Sequence, residues 1–126
     1  QTEASHAIWK FATTHADVPT LNHFAAEVEK QLGLACEWSW QDQVDIAQTG
    51  NSKGKLLQQW LGEQGISMKD VVAFGDNFND ISMLEGVGLG VAMGNSADEI
   101  KARADLVIGS NEEPSIADLI HTRILA

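Results

Sequence analysis

Val71-Val72-Ala73-Phe74-Gly75-Asp76-Asn77-Phe78-Asn79-Asp80 joins an unbroken apolar run to a turn dense in carboxylates and amides. Such a run suits a strand buried on both faces, the usual state in a parallel sheet. In these sheets ligands bind beyond the carboxyl ends of the strands, where loops turn into helices. Asp76 leaves the strand at that end, and Asp80 follows four residues later in the first turn of the next helix. This spacing lets both carboxylates converge on one point. Hard oxygen donors paired in this way suit Mg²⁺, which takes one or two carboxylates together with water and substrate phosphate oxygens. Asn79 adds an amide beside them. Asp and Asn also cap helices for local reasons, so the turn alone fits a cap as well as a metal site.

Ser52-Lys53-Gly54 opens the preceding helix, and a helix start puts Lys53 at the same carboxyl edge of the sheet. An ammonium there can neutralise phosphate charge or hold a carboxylate in position. From residue 51 onward the chain repeats a helix-then-strand rhythm. Leu56, Leu57, Trp60 and Leu61 line one helix, with Trp60 expected in the core. A helix over 79–85, a strand over 89–93, a helix over 97–103, a strand over 106–108 and a terminal helix from Pro114 follow. Ser96 with Glu99 reads as a capping box, and Pro114 suits a first-turn position. Gly86, Gly88 and Gly90 lie between a helix and a strand, the reverse of the order a dinucleotide loop requires.

The first part reads differently. Leu21, Phe24, Val28 and Leu32 recur at helical spacing, and Gly33 stands at the C-cap position. Residues 34–40 and 43–48 read as a hairpin turning at Gln41-Asp42, with Trp38 and Trp40 expected on one packed face. The pattern as a whole is α/β, with a helix-plus-hairpin piece before the parallel part.

Composition narrows the function. Eight Lys plus Arg against eighteen Asp plus Glu give a formal net charge of −10 over 126 residues. That field repels phosphate backbones and anionic lipid, so neither nucleic acid nor membrane is an expected partner. Cys36 is the only cysteine; it fits a reducing compartment, and the expected location is cytoplasmic. His6, His15, His23 and His121 have no mutual ligand spacing.

Asn51-Ser-Lys-Gly-Lys, the run from Val72 to Leu84, Gly90-Val-Ala-Met-Gly-Asn-Ser and Lys101-Ala-Arg-Ala-Asp together resemble the carboxyl-terminal half of a Cof-type (cap class IIB) phosphatase of the haloacid dehalogenase superfamily. The resemblance runs from about Val44 to the end. It implies a partial Rossmann-like core over 49–126, with helices on both faces of a parallel sheet, preceded over 1–48 by the end of an α/β cap. It makes Lys53 the catalytic lysine of the third motif and Asp76 the Mg²⁺-binding aspartate of the fourth. Asn79 becomes a phosphate contact alongside Lys53, and Asp80 helps hold the metal or orients Lys53. The implied activity is Mg²⁺-dependent hydrolysis of a small phosphorylated metabolite through an aspartyl-phosphate. The Pro-Ser-Ile-Ala tail is similar to that of a branch acting on pyridoxal phosphate; sugar phosphates are the other expected class.

The family's attacking residue belongs to an Asp-x-Asp-Gly-Thr motif, and no Asp-x-Asp occurs in the 126 residues. The expectation is a fragment without its nucleophile, inactive alone. Alternatives are a non-catalytic metal- or phosphate-binding module, an assembly partner, or part of a phosphotransferase. The family's sheet order would leave the strand over 71–74 with an open edge. That edge is expected to self-associate or to pair with the missing half.

Overall fold

The computed structural model describes residues 7–126; His6 lies outside them. The chain divides into two compact units, Gln1–Asn51 and Ser52–Ala126.

In the first unit, β1 (Lys10–Thr14), β2 (Ala35–Trp40) and β3 (Gln43–Ala47) form an antiparallel sheet in the order β1-β3-β2, beside α1 (Val18–Leu32). Asp17 caps α1 by accepting from the Thr20 N–H at 3.3 Å, and Pro19 occupies the first turn. Gly33 closes the helix by donating to the Glu29 carbonyl at 3.1 Å. Leu21, Ala25 and Val28 are buried against Val44 and Ile46, with Cys36 and Trp38 packed alongside. The buried stripe is therefore i, i+4, i+7. Phe24 and Leu32, expected in it, are exposed because they lie on its flanks.

Strand β1 is an addition to the expected hairpin. Its sequence, Lys-Phe-Ala-Thr-Thr, alternates too weakly to be read alone, but Phe11 pairs with Ile46 and Thr13 with Val44. Trp38 and Trp40 do not share a face. The register slips between them, so Trp38 packs on the core while Trp40 is exposed. On the opposite face Asp45 is buried, and it accepts from Ser39 Oγ at 2.6 Å, Lys10 Nζ at 3.0 Å and Gln43 Nε2 at 3.3 Å.

The second unit is built on a parallel sheet, β4 (Val72–Gly75), β5 (Leu89–Ala92) and β6 (Leu106–Val107), in that order. The helices are α2 (Lys53–Glu63), α3 (Ile81–Gly86), α4 (Asp98–Arg103) and α5 (Ser115–Leu119). Leu84 of α3 and Ile100 of α4 bury against Ala92 on one face. Phe74, Val91 and Met93 alternate to the other face, where Ile116 and Ile120 border the same cavity as Phe74 and Met93. Helices thus flank both faces, as an α/β sheet requires.

Two expectations fail here. Trp60 is 55% exposed rather than core. Gly54, Leu57 and Leu61 share the face of α2 that packs inward, and Trp60 stands about 100° round from Leu61. The Ser96/Glu99 capping box does not form either. Ala97 takes the N-cap position of α4, and the buried Ser96 hydroxyl has no hydrogen-bond partner.

Candidate active site

The site is assembled at the carboxyl end of β4 from two helix starts. Ser52 caps α2, its Oγ accepting from the Lys55 N–H at 3.2 Å, which fixes Lys53 as the first helical residue. Gly54 then lets α2 approach α3 closely. A Cβ at Gly54 would stand 2.3 Å from the Ser82 carbonyl oxygen, and the Gly54 N–H donates to Ser82 Oγ at 3.1 Å. This contact carries Lys53 to the turn that follows β4.

In that turn Asp80 is 4% exposed. One carboxylate oxygen, Oδ2, accepts from the backbone N–H groups of Asp76 at 2.9 Å and Asn77 at 3.0 Å. The other, Oδ1, accepts from Lys53 Nζ. Gly75 makes room for this arrangement, since a Cβ there would lie 2.6 Å from Asp80 Cβ. Burial pushes the Asp80 carboxyl up, but hydrogen bonds from Lys53, Asn77 and Asp76 and the Lys53 charge outweigh it and hold the group below its ordinary value. Lys53 Nζ also donates to Asn79 Oδ1 at 3.4 Å, and its side chain stays half exposed.

Lys53, Asn79 and Asp80 are therefore one hydrogen-bonded group, with Asp76 at its edge. Of the two roles implied for Asp80, the contacts match orientation of Lys53, because both carboxylate oxygens are engaged. A direct metal bond at Asp80 would displace the ammonium or two amides. No hydrogen bond from the described residues reaches the Asp76 carboxylate, which leaves a hard oxygen donor at the strand end. Among the described residues no cluster of three or more His, Cys, Asp or Glu could hold a metal. The donor set fits a Mg²⁺ ion that keeps most of its ligands as water and phosphate oxygens.

Beside Asp76 a cavity of about 580 Å³ is bordered by Phe74, Met93, Asn111, Glu113, Pro114, Ile116 and Ile120. Asn111 is positioned by its N–H donating to Asn95 Oδ1 at 2.9 Å. Asp105 ties two strands together. Its Oδ2 accepts from the Gly90 N–H at 2.8 Å while its own N–H donates to the Gly90 carbonyl at 2.9 Å, locking the entry of β6 to β5. A motif ending in Asp just before a short strand carried that signal.

The sequence profile of the haloacid dehalogenase-like hydrolases matches residues 1–120. The chain belongs to this family. Among curated relatives, the pyridoxal phosphate phosphatase YbhA of Escherichia coli K12 is 62% identical over 120 residues, covering 95% of this chain and 44% of the relative. A haloacid dehalogenase-like hydrolase from Bacillus subtilis superposes with a TM-score of 0.86 at 29% identity, over 96% of this chain and 43% of that one. A subclass IIB sugar phosphatase shares the fold, with a TM-score of 0.81 at 24% identity, over 98% of this chain and 46% of that one. The haloacid dehalogenase-like chain described here thus spans less than half the length of these relatives. Among its described residues no helix is long and apolar enough to cross a membrane.

Proposed function

We propose that this haloacid dehalogenase-like chain supplies the lysine and metal side of a phosphomonoesterase site, and that the whole protein dephosphorylates pyridoxal phosphate. The observation that carries the reading is the Lys53–Asp80–Asn79 group beside Asp76 at the carboxyl end of β4. A phosphate at this edge meets the Lys53 ammonium, which Asp80 and Asn79 hold in place with no further ordering cost. Asp76 offers the accessible carboxylate for Mg²⁺, and the bound ion would offset phosphate charge that otherwise repels an anionic nucleophile. Asp80 contributes by aiming Lys53. The attacking carboxylate lies outside these 126 residues, since no Asp-x-Asp is among them. Units Gln1–Asn51 and Ser52–Ala126 act as the end of a cap and half of a core. The identity to the E. coli pyridoxal phosphate phosphatase supports that substrate over a sugar phosphate. Cytoplasmic location accords with one unpaired cysteine.

The test is phosphate release from pyridoxal phosphate by this chain alone and by the chain extended to the relatives' full length. The extended protein turns over with Mg²⁺, and Lys53→Ala and Asp76→Ala each lower kcat by about 10² or more; the 126-residue chain is inert. Turnover by the short chain, abolished in Asp76→Ala, would falsify this division of labour.

A further inference from the structure

We propose that Ser82 is a positioning residue for Lys53: its hydroxyl serves as a second cap for α2, so that the segment holding the Lys53 ammonium also fixes the backbone that carries it. The effect on turnover rests on the phosphatase reading; the clamp's geometry does not.

An α-helix opens with N–H groups that have no partner inside it. In α2 the first intrahelical bond runs from the Leu56 N–H to the Ser52 carbonyl at 3.0 Å. The N–H groups of Lys53, Gly54 and Lys55 therefore depend on partners outside the ladder. Ser52 Oγ takes that of Lys55 at 3.2 Å, as a cap residue does. The Gly54 N–H turns to another element and donates to Ser82 Oγ of α3 at 3.1 Å, 28 residues further along the chain.

That bond forms because no side chain separates the two helices at this point. A Cβ at Gly54 would stand 2.3 Å from the Ser82 carbonyl oxygen and 2.9 Å from the Met83 nitrogen. Gly54 is buried and Ser82 is exposed, so the hydroxyl reaches the contact from its solvent side. Serine is a poorer helix former than alanine. What it adds to α3 is an acceptor, and the acceptor's partner is the peptide group that joins Lys53 to Gly54.

Residues 79–82 then hold Lys53 at both ends. Asn79 Oδ1 and Asp80 Oδ1 accept from its ammonium, and Ser82 holds the adjoining peptide. Asp80 is itself fixed by the Asp76 and Asn77 N–H groups. A charged group tied only at its tip can still shift when its helix shifts; tied at tip and base, it moves with the turn after β4 as one body.

The test uses the chain extended to the relatives' full length. Ser82→Ala removes the acceptor at an exposed helical position that favours alanine, and circular dichroism and thermal melts check that the variant is folded. With pyridoxal phosphate and Mg²⁺ its kcat should fall about tenfold while KM changes by less than about twofold. Ser82→Thr keeps the hydroxyl and should restore kcat to within about twofold of the native value. In a Lys53→Met background Ser82→Ala should lower the residual rate no further, because nothing is left to position. An unchanged kcat in Ser82→Ala, no rescue by Ser82→Thr, or equal falls in both backgrounds overturns the assignment.

Two measurements on the same proteins need no turnover. Amide exchange at Gly54 should rise about tenfold in Ser82→Ala and keep its native rate in Ser82→Thr. The NMR order parameter of the Lys53 Cε methylene should fall in the first variant and hold in the second. Unchanged exchange at Gly54, or an unchanged order parameter at Lys53, overturns the clamp whatever the rates. If both move as expected and the native extended protein releases no phosphate, the clamp stands and the phosphatase reading is removed.

Discussion

Asp80 holds three donors while almost wholly removed from water, and its chemistry follows from that. Its folded value lies below the ordinary 3.8, so its contribution to stability is fully present above the unfolded value. The contribution disappears as pH falls through the lowered folded value. Urea midpoints measured between neutral pH and the acid limit should therefore drop more steeply for the native chain than for Asp80→Asn. Asp45 behaves in the same sense. Burial raises it, but hydrogen bonds from Ser39, Lys10 and Gln43 and the Lys10 charge hold it below 3.8. Lys53→Met leaves Asp80 with its amides and no ammonium; the half-exposed lysine limits the loss to about 1–2 kcal/mol, read by equilibrium unfolding. At this scale the sequence already placed Lys53, Asp76, Asn79 and Asp80 together, because a strand end and two helix starts can be read from period and spacing. Which carboxylate faces the ammonium could not be read, since it depends on side-chain direction within one turn.

Elements meet here through absent side chains. Gly54 against the Ser82 carbonyl and Gly75 against Asp80 Cβ leave no room for a methyl group. Gly54→Ala should cost about 1–3 kcal/mol by pushing α2 from α3, and in the extended protein it should lower kcat because Lys53 rides on α2. Thermal melts and pyridoxal phosphate turnover measure the two effects separately. Asp105→Ala should cost about 1 kcal/mol, the worth of its hydrogen bond to the Gly90 N–H, and amide exchange at Gly90 should rise with it. Helix and strand order were legible in the sequence because apolar period and cap residues act locally. The inward face of α2 was not: an apolar count favours Trp60, whereas contact is decided by how closely Gly54 lets the backbones approach. Strand β1 was hidden for a similar reason, its apolar partner Ile46 lying 35 residues away in the register.

For the whole molecule the controlling facts are a charge of −10 and a length under half that of its relatives. If Asp76 takes Mg²⁺, a free ion concentration ten times the dissociation constant stabilises the chain by about 1.4 kcal/mol. The melting temperature should rise accordingly, fall back with a chelator, and stay fixed in Asp76→Ala; scanning calorimetry with and without Mg²⁺ measures it. The amino-acid sequence by itself determined the family and the α/β order and brought Lys53, Asp76, Asn79 and Asp80 forward as candidates, because these rest on local period, capping and motif spacing. Only the tertiary structure decided that Asp80 accepts from Lys53, that Trp60 faces outward, and that the peptide groups of Val72 and Phe74 point away from β5. Each of these depends on which surfaces of distant segments meet, a matter of close approach and register that no stretch of residues carries alone.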